Sequence, residues 1–255
     1  MSRPQQRNIL LRSLRRVLIA LALIYLIGVA ALWVFQRRLM YHPTHEPVAM
    51  ALTEWMPDGQ YSGYVREGSG ENVWLFLNGN AGQASRFTFA ADLLPRTDKV
   101  YFLEYPGFGA RPGSPSMATL NAAAEKACGD IRRENPGAKL TVIGVSLGSG
   151  PAAHLGSIAN PPERIVLIVP FGRMSDESQY KYPYLPARWL VRDDWDNIAS
   201  LRNYRGRLQI FAERDDLMIP VKHARALHAA LPQSEYTELP GGHGDWKHAI
   251  PLLSQ

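Results

Sequence analysis

The segment of this chain best suited to covalent chemistry is Gly144-Val145-Ser146-Leu147-Gly148. It follows the apolar run Leu140–Val145 and precedes the small residues Ser149, Gly150, Ala152 and Ala153, an order that predicts a strand, a sharp turn and a helix. Such a turn presents the Ser146 hydroxyl, and the glycines leave room for helix and strand to approach. A serine hydroxyl is a weak nucleophile without a base. His243, in the run Leu239-Pro240-Gly241-Gly242-His243-Gly244-Asp245 beyond the last apolar stretch, is placed to take its proton. The base needs an acid to fix its tautomer, and Asp215 and Asp216 both qualify, in Ala212-Glu213-Arg214-Asp215-Asp216-Leu217. Charge developing on an attacked carbonyl needs N–H donors. Leu147, the residue after the serine, is expected to supply one, and Asn80, in the turn Asn78-Gly79-Asn80-Ala81-Gly82, the other.

The other reactive residue types read as background. His42 and His45 have i,i+3 spacing but no third ligand type beside them, so a metal site is not expected there. His154, His223 and His228 fall on predicted helices, His154 in a packing or surface role and the other two facing solvent. Cys128, the one cysteine, rules out an intrachain disulfide framework and reads as a small buried apolar residue. Serine, histidine and aspartate together call for neither a metal nor an organic cofactor.

Positioning these residues requires a particular scaffold. Short apolar runs at Val73–Leu77, Val100–Leu103, Leu140–Val145, Arg164–Val169, Leu208–Phe211 and Tyr236–Leu239 predict buried strands. Helical patterns at about Ser85–Leu94, Thr119–Asn135 and Val221–Leu231 separate them. That alternation indicates an α/β fold, a mostly parallel sheet with helices on both faces. The candidate residues all lie just after strands, where parallel sheets carry their chemistry. Phe171–Asn197, with Tyr180, Tyr182, Tyr184, Trp189 and Trp195, lies where a lid would sit, its aromatics lining an acyl pocket, facing a membrane or packing ordinarily.

The charge distribution describes a different part of the chain. Of 28 Lys+Arg, seven arginines fall within residues 1–38, which carry no acidic residue; the remaining 217 residues hold 21 basic and 23 acidic side chains, net −2. The overall +5 is therefore no basic groove, and nucleic-acid binding is not expected. Val17–Phe35 is an uncharged stretch of nineteen residues, which at about 1.5 Å per residue nearly spans a hydrocarbon core of roughly 30 Å. It reads as an uncleaved transmembrane anchor between a basic flank, 1–16, and the domain 36–255, with Gln36–Pro47 as a polar connector. Five arginines before the span and two after it place the N-terminus in the cytoplasm. The domain then faces away from the cytoplasm, into the periplasm if the source is a Gram-negative bacterium.

The order Ser…Asp…His along the chain is that of the α/β-hydrolases. The chain resembles that superfamily, and more narrowly the membrane-anchored Bem46-like and ABHD-like serine hydrolases. The resemblance covers nearly everything after the anchor: Gln36-Arg-Arg-Leu-Met-Tyr-His-Pro43, the Asn78–Gly82 loop, Glu104-Tyr-Pro-Gly-Phe-Gly-Ala-Arg-Pro-Gly-Ser-Pro115, the Ser146 turn and the His243 loop. Asn78 stands where the family's loop begins with histidine, and backbone donors do not depend on that side chain. The family also shows small-x-x-Asp and Asp-x-x-Val/Ile-Pro sharing a single aspartate. Here Ala212 points to Asp215 while Ile219-Pro220 points to Asp216, and the resemblance narrowly favours Asp216.

The resemblance implies a serine hydrolase acting on an ester, a thioester or an amide, with a small-molecule or lipid-like acyl substrate. Acyl transfer to another acceptor by the same residues is the alternative, and a non-catalytic membrane-tethered scaffold is a third reading.

Overall fold

Six of the strands are expected from the apolar runs, and two more complete the sheet. In the computed structural model, which describes residues 3–46, 52–68 and 71–254, the strands are β1 (Thr53–Trp55), β2 (Gly63–Arg66), β3 (Asn72–Leu77), β4 (Lys99–Leu103), β5 (Lys139–Val145), β6 (Arg164–Ile168), β7 (Arg207–Glu213) and β8 (Glu235–Leu239). The helices are α1 (Arg3–Met40), α2 (Met117–Glu134), α3 (Ser149–His154), α4 (Met174–Lys181), α5 (Ala187–Leu190), α6 (Asn197–Leu201) and α7 (Lys222–Ala230). The strand order is β1-β2-β4-β3-β5-β6-β7-β8. β2 runs antiparallel to its neighbours, and every pairing from β4 through β8 is parallel. This is the α/β-hydrolase fold. Parallel strands deliver all their C-terminal ends to one edge, so residues far apart in sequence can meet there.

Alternation along the strands builds two apolar layers. Val73, Leu75 and Leu77 of β3 join Val142, Ile165, Leu167 and Ile210 on one face, under α2, α3 and α7. Trp74 and Phe76 join Phe102, Ile143, Val166 and Phe211 on the other. Two stretches of 3₁₀ turns cover that second face, Ala84–Leu93 and His243–Ser254. The first occupies the place of the helix expected at Ser85–Leu94.

Three further expectations change. The fourth expected strand stops at Ile168 because Val169 takes φ +46, a conformation a β-branched residue rarely adopts. α2 starts two residues early, since Ser116 and Thr119 form a reciprocal capping box around its first turn. The connector expected from Gln36 is helical to Met40, because the Gln36 and Arg37 side chains hydrogen-bond residues 190–193 and hold the last turns of α1 in place. Pro47 lies outside the described residues. α1 is long and apolar enough over Leu10–Met40 to cross a membrane.

Candidate active site

Central strand β5 delivers Ser146 into a strained turn. Its φ is +53, a left-handed conformation that costs a non-glycine residue about 1–3 kcal/mol. The flanking glycines are demanded by close approach. A Cβ on Gly144 would lie 2.5 Å from both the Ala152 Cβ and the Gly148 carbonyl oxygen, and one on Gly148 would lie 2.1 Å from the Leu77 carbonyl oxygen. α3 therefore packs directly on β5 and β3, with Ser146 at the bend.

His243 arrives from the other end of the sheet. After β8, Gly241 turns the chain at φ +139, and the Asp245 carboxylate accepts the Gly242 N–H at 2.9 Å. Trp246 pins the loop by packing against Phe76, Phe87 and Phe89, with ring centroids 5.8, 6.0 and 5.7 Å away. His243 Nε2 then lies 3.0 Å from Ser146 Oγ. Its Nδ1 lies 2.7 Å from Asp216 Oδ2. Asp216, in the loop after β7, is buried, and its other oxygen accepts the N–H groups of Met218 and Ile219 at 2.8 Å each. Asp215 is exposed and contributes its main chain instead, donating its N–H to the Gly241 carbonyl. Of the two aspartates in the loop, the structure brings Asp216 and not Asp215 to His243.

The Asn78–Gly82 turn stands beside the serine. A Cβ on Gly79 would lie 3.3 Å from Ser146 Cβ. Asn78 is buried; its amide donates to the Gly79 carbonyl at 3.0 Å, and its own carbonyl accepts the Tyr105 hydroxyl at 3.0 Å. The Asn80 side chain faces away from the serine loop, accepting the His42 N–H at 2.9 Å and donating to the Met40 carbonyl. Leu147 occupies the first turn after the bend, where helical N–H groups have no intrahelical acceptor.

Sequence alone gives the Glu104–Pro115 motif no task. In the structure the buried Glu104 carboxylate accepts the Ala84 N–H at 2.9 Å and the Tyr61 hydroxyl at 3.4 Å, fastening the far end of the serine-side loop. Burial pushes its carboxyl up to about 7, against the opposing pull of those hydrogen bonds and of Arg111. Tyr105 and Glu104 therefore brace the loop from below. Burial also raises the Glu213 carboxyl, just under Asp216, with Asp245 and Asp216 adding to the shift and His248 opposing it.

Two histidine expectations are corrected. His223 and His228 do not face solvent: His223 Nε2 lies 3.0 Å from the buried Glu177, and His228 bonds Ser234 and stacks on Tyr236. Three other rings each meet a partner outside the serine–histidine–aspartate run. His154 pairs with Glu125, His42 Nδ1 meets the Asn80 amide, and His45 Nδ1 meets the Gly109 carbonyl. Cys128 is buried, as expected, and burial raises its thiol. Of the lid aromatics, Trp195 is buried against Tyr41 and Gly150, whereas Tyr180, Tyr182, Tyr184 and Trp189 are exposed.

An eight-stranded sheet with one reversed strand, a serine on the bend after β5 and a histidine after β8 together define the class. Residues 74–253 match the alpha/beta hydrolase family, and the chain belongs to it. An uncharacterised protein of Mycobacterium tuberculosis is 30% identical over 253 residues, covering 90% of this chain and 89% of its own. The alpha/beta hydrolase domain-containing protein WAV2 of Arabidopsis thaliana is 24% identical over 66% of this chain and 62% of its own. Among solved structures, an esterase of Pyrococcus furiosus superposes with a TM-score of 0.62 at 13% identity, covering 84% of this chain and 96% of its own. A monoacylglycerol lipase of Paleococcus ferrophilus does so with a TM-score of 0.55 at 15% identity, covering 80% and 98%.

Proposed function

We propose that this protein is a membrane-anchored serine hydrolase of the Bem46-like group, cleaving a carboxylic ester or thioester through an acyl-enzyme, with an amide as the alternative substrate. One observation carries the reading: the unbroken run Asp216–His243–Ser146, with contacts of 2.7 and 3.0 Å, ending on a buried serine held at positive φ. Membership of the alpha/beta hydrolase family and the esterase and lipase among the fold neighbours point the same way. The division of labour is a basic flank (1–16), a membrane span (17–35) and a catalytic domain (36–255).

In the first step Ser146 Oγ attacks the acyl carbon as its proton passes to His243 Nε2. Asp216 accepts from Nδ1–H and stabilises the imidazolium without being protonated. The N–H groups of Leu147 and Asn80 hold the oxyanion. The tetrahedral adduct collapses, the bond to the leaving oxygen, sulfur or, for an amide, nitrogen breaks, and that atom takes the proton from His243. Water then gives a proton to His243, attacks the acyl-enzyme and releases the acid, and Ser146 recovers its proton.

A fluorophosphonate probe tests this on the full chain in detergent. Wild type should label covalently and stoichiometrically, and Ser146→Ala should not. Equal labelling of the two would overturn the proposal.

A further inference from the structure

The second half of α1 is fastened to the segment Tyr184–Asp193 at four levels. The Tyr25 hydroxyl donates to the Tyr184 carbonyl at 3.1 Å. The Arg192 guanidinium lies over the Trp33 ring, 5.1 Å from its centroid. The Gln36 amide donates to the Leu190 carbonyl at 3.1 Å and accepts the Arg192 N–H at 2.8 Å. Arg37 forks onto Asp193 with two bonds of 2.9 Å, and the Tyr41 hydroxyl adds a third at 3.1 Å.

This contact fixes a depth. Tyr25 precedes Phe35, the last residue of the uncharged run, by ten positions, or about 15 Å of helix. A helix crossing a bilayer with Val17–Phe35 in the hydrocarbon carries Tyr184 below the membrane surface with it, less deeply if tilted. Backbone polar groups at such depth must be satisfied inside the protein. Six successive carbonyls meet that condition. Tyr182 accepts from the Leu185 N–H (3.1 Å), Pro183 and Leu185 from the Gln179 amide (3.4 and 3.0 Å), and Tyr184 from Tyr25. Pro186 accepts from the Trp189 N–H (3.1 Å) and Ala187 from the Val191 N–H (3.1 Å). Pro183 and Pro186 have no N–H to satisfy. The outward side chains are aromatic, with Tyr184 90% and Trp189 84% exposed. Exposed Lys181, beside Tyr182, is a long cation able to reach lipid phosphates, while Arg188 pairs with Asp176 and Arg192 with the Trp33 ring.

We infer that Tyr182–Leu190 is a wedge inserted into the lipid bilayer beside the protein's own anchor, and that it docks the catalytic domain against the membrane. The inference rests on the reading of α1 as a membrane span. It brings the Asn80 loop, tied to Met40, to within about 8 Å of the hydrocarbon edge along α1. An ester at headgroup depth would then meet the site close to the membrane.

Spin-label accessibility in vesicles of phosphatidylcholine and phosphatidylglycerol tests the wedge. The full chain, with Cys128→Ala, carries a nitroxide in turn at Ile24→Cys, Tyr184→Cys, Trp189→Cys and, as an aqueous reference, Glu71→Cys; all four side chains are exposed. The Tyr184 and Trp189 positions should match Ile24, with a ratio of oxygen to nickel-chelate collisions at least threefold above Glu71. If both match Glu71 while Ile24 reads lipid, the wedge is overturned and the anchor stands. If Ile24 itself reads water, both fall. Fluorophosphonate labelling of the same samples reports separately on the hydrolase reading.

Discussion

Asp216→Asn removes a charge while preserving shape, and the surrounding hydrogen bonds decide its effect on the histidine. One Asp216 oxygen accepts two backbone N–H groups at 2.8 Å, and the other faces His243 Nδ1 at 2.7 Å. Asparagine offers an acceptor at one end and donors at the other. The Met218 and Ile219 N–H groups claim the acceptor. Turning the NH₂ toward them would leave two donors unsatisfied, at about 1–3 kcal/mol each. The NH₂ must then face Nδ1, which becomes the acceptor, and the ring proton shifts to Nε2. That nitrogen sits 3.0 Å from Ser146 Oγ and can no longer receive the serine proton. The proposed chemistry therefore loses about 10³–10⁴ in kcat/KM, or about 4–5.5 kcal/mol of transition-state stabilisation. Asp215→Asn, at an exposed side chain, should change it less than about twofold. Hydrolysis of p-nitrophenyl butyrate by the full chain in detergent measures both. If Asp216→Asn keeps more than a tenth of wild-type kcat/KM, or Asp215→Asn falls as far, the assignment of the acid is wrong.

Two further predictions concern the scaffold. The Glu104 carboxyl is raised from 4.5 to about 7 by burial, so it stabilises the fold in its protonated form. That contribution is complete below about pH 4.5, fades as the pH climbs through 7, and amounts to about 3 kcal/mol. Wild type should lose thermal stability relative to Glu104→Gln between pH 5 and pH 8, and parallel Tm profiles would refute the assignment. Gly148→Ala sets a Cβ 2.1 Å from a main-chain oxygen that cannot swing aside, an overpacking worth about 3 kcal/mol. Its Tm should drop by about 6 °C or more; an unchanged Tm would show that α3 can shift from β3.

Five of the six strands legible in the sequence are largely buried on both faces, because a run such as Val73–Leu77 carries a continuous apolar signal, whereas β8 is a half-buried edge strand marked by Tyr236 and Leu239. β1 and β2 escape notice because they are short strands with mixed burial, β1 at the sheet edge with Thr53 and Glu54 exposed and β2 beside it alternating buried and half-buried residues. Ser146 and His243 are legible since glycines mark backbone turns directly. Glu104, Tyr105 and Asp193 are not, since each acts on a partner at least 20 residues away in the chain: Ala84, Asn78 and Arg37. A sequence motif advertises local geometry, whereas a brace between loops depends on where the sheet sets them. The lid shows the same limit. Its aromatic content is visible in the sequence, but only the tertiary contacts separate Trp195, which is buried against Tyr41, from Trp189, which faces outward.

Asn80 has a main chain in the serine-side turn and a side chain bound to the end of α1, so one residue links that helix to the candidate site. The His42 N–H and ring and the Met40 carbonyl are its partners, and Arg37, three residues before Met40, is itself clamped to Asp193. The turn therefore draws rigidity from a helix outside the catalytic fold, in addition to the brace from Tyr105. Asn80→Ala keeps the backbone N–H proposed to bind the oxyanion but removes the ties to His42 and Met40. At about 0.5–1.5 kcal/mol for each net hydrogen bond, the turn should lose up to about 3 kcal/mol of positional stability. Only the part that blurs donor placement reaches the transition state, so kcat should fall about three- to tenfold while KM for a short ester stays within about twofold. Asn80→Asp, which keeps the acceptor for His42, should recover part of the loss. A kcat for Asn80→Ala equal to wild type would mean that the Tyr105 brace alone sets the turn, and that α1 does not tune the proposed chemistry.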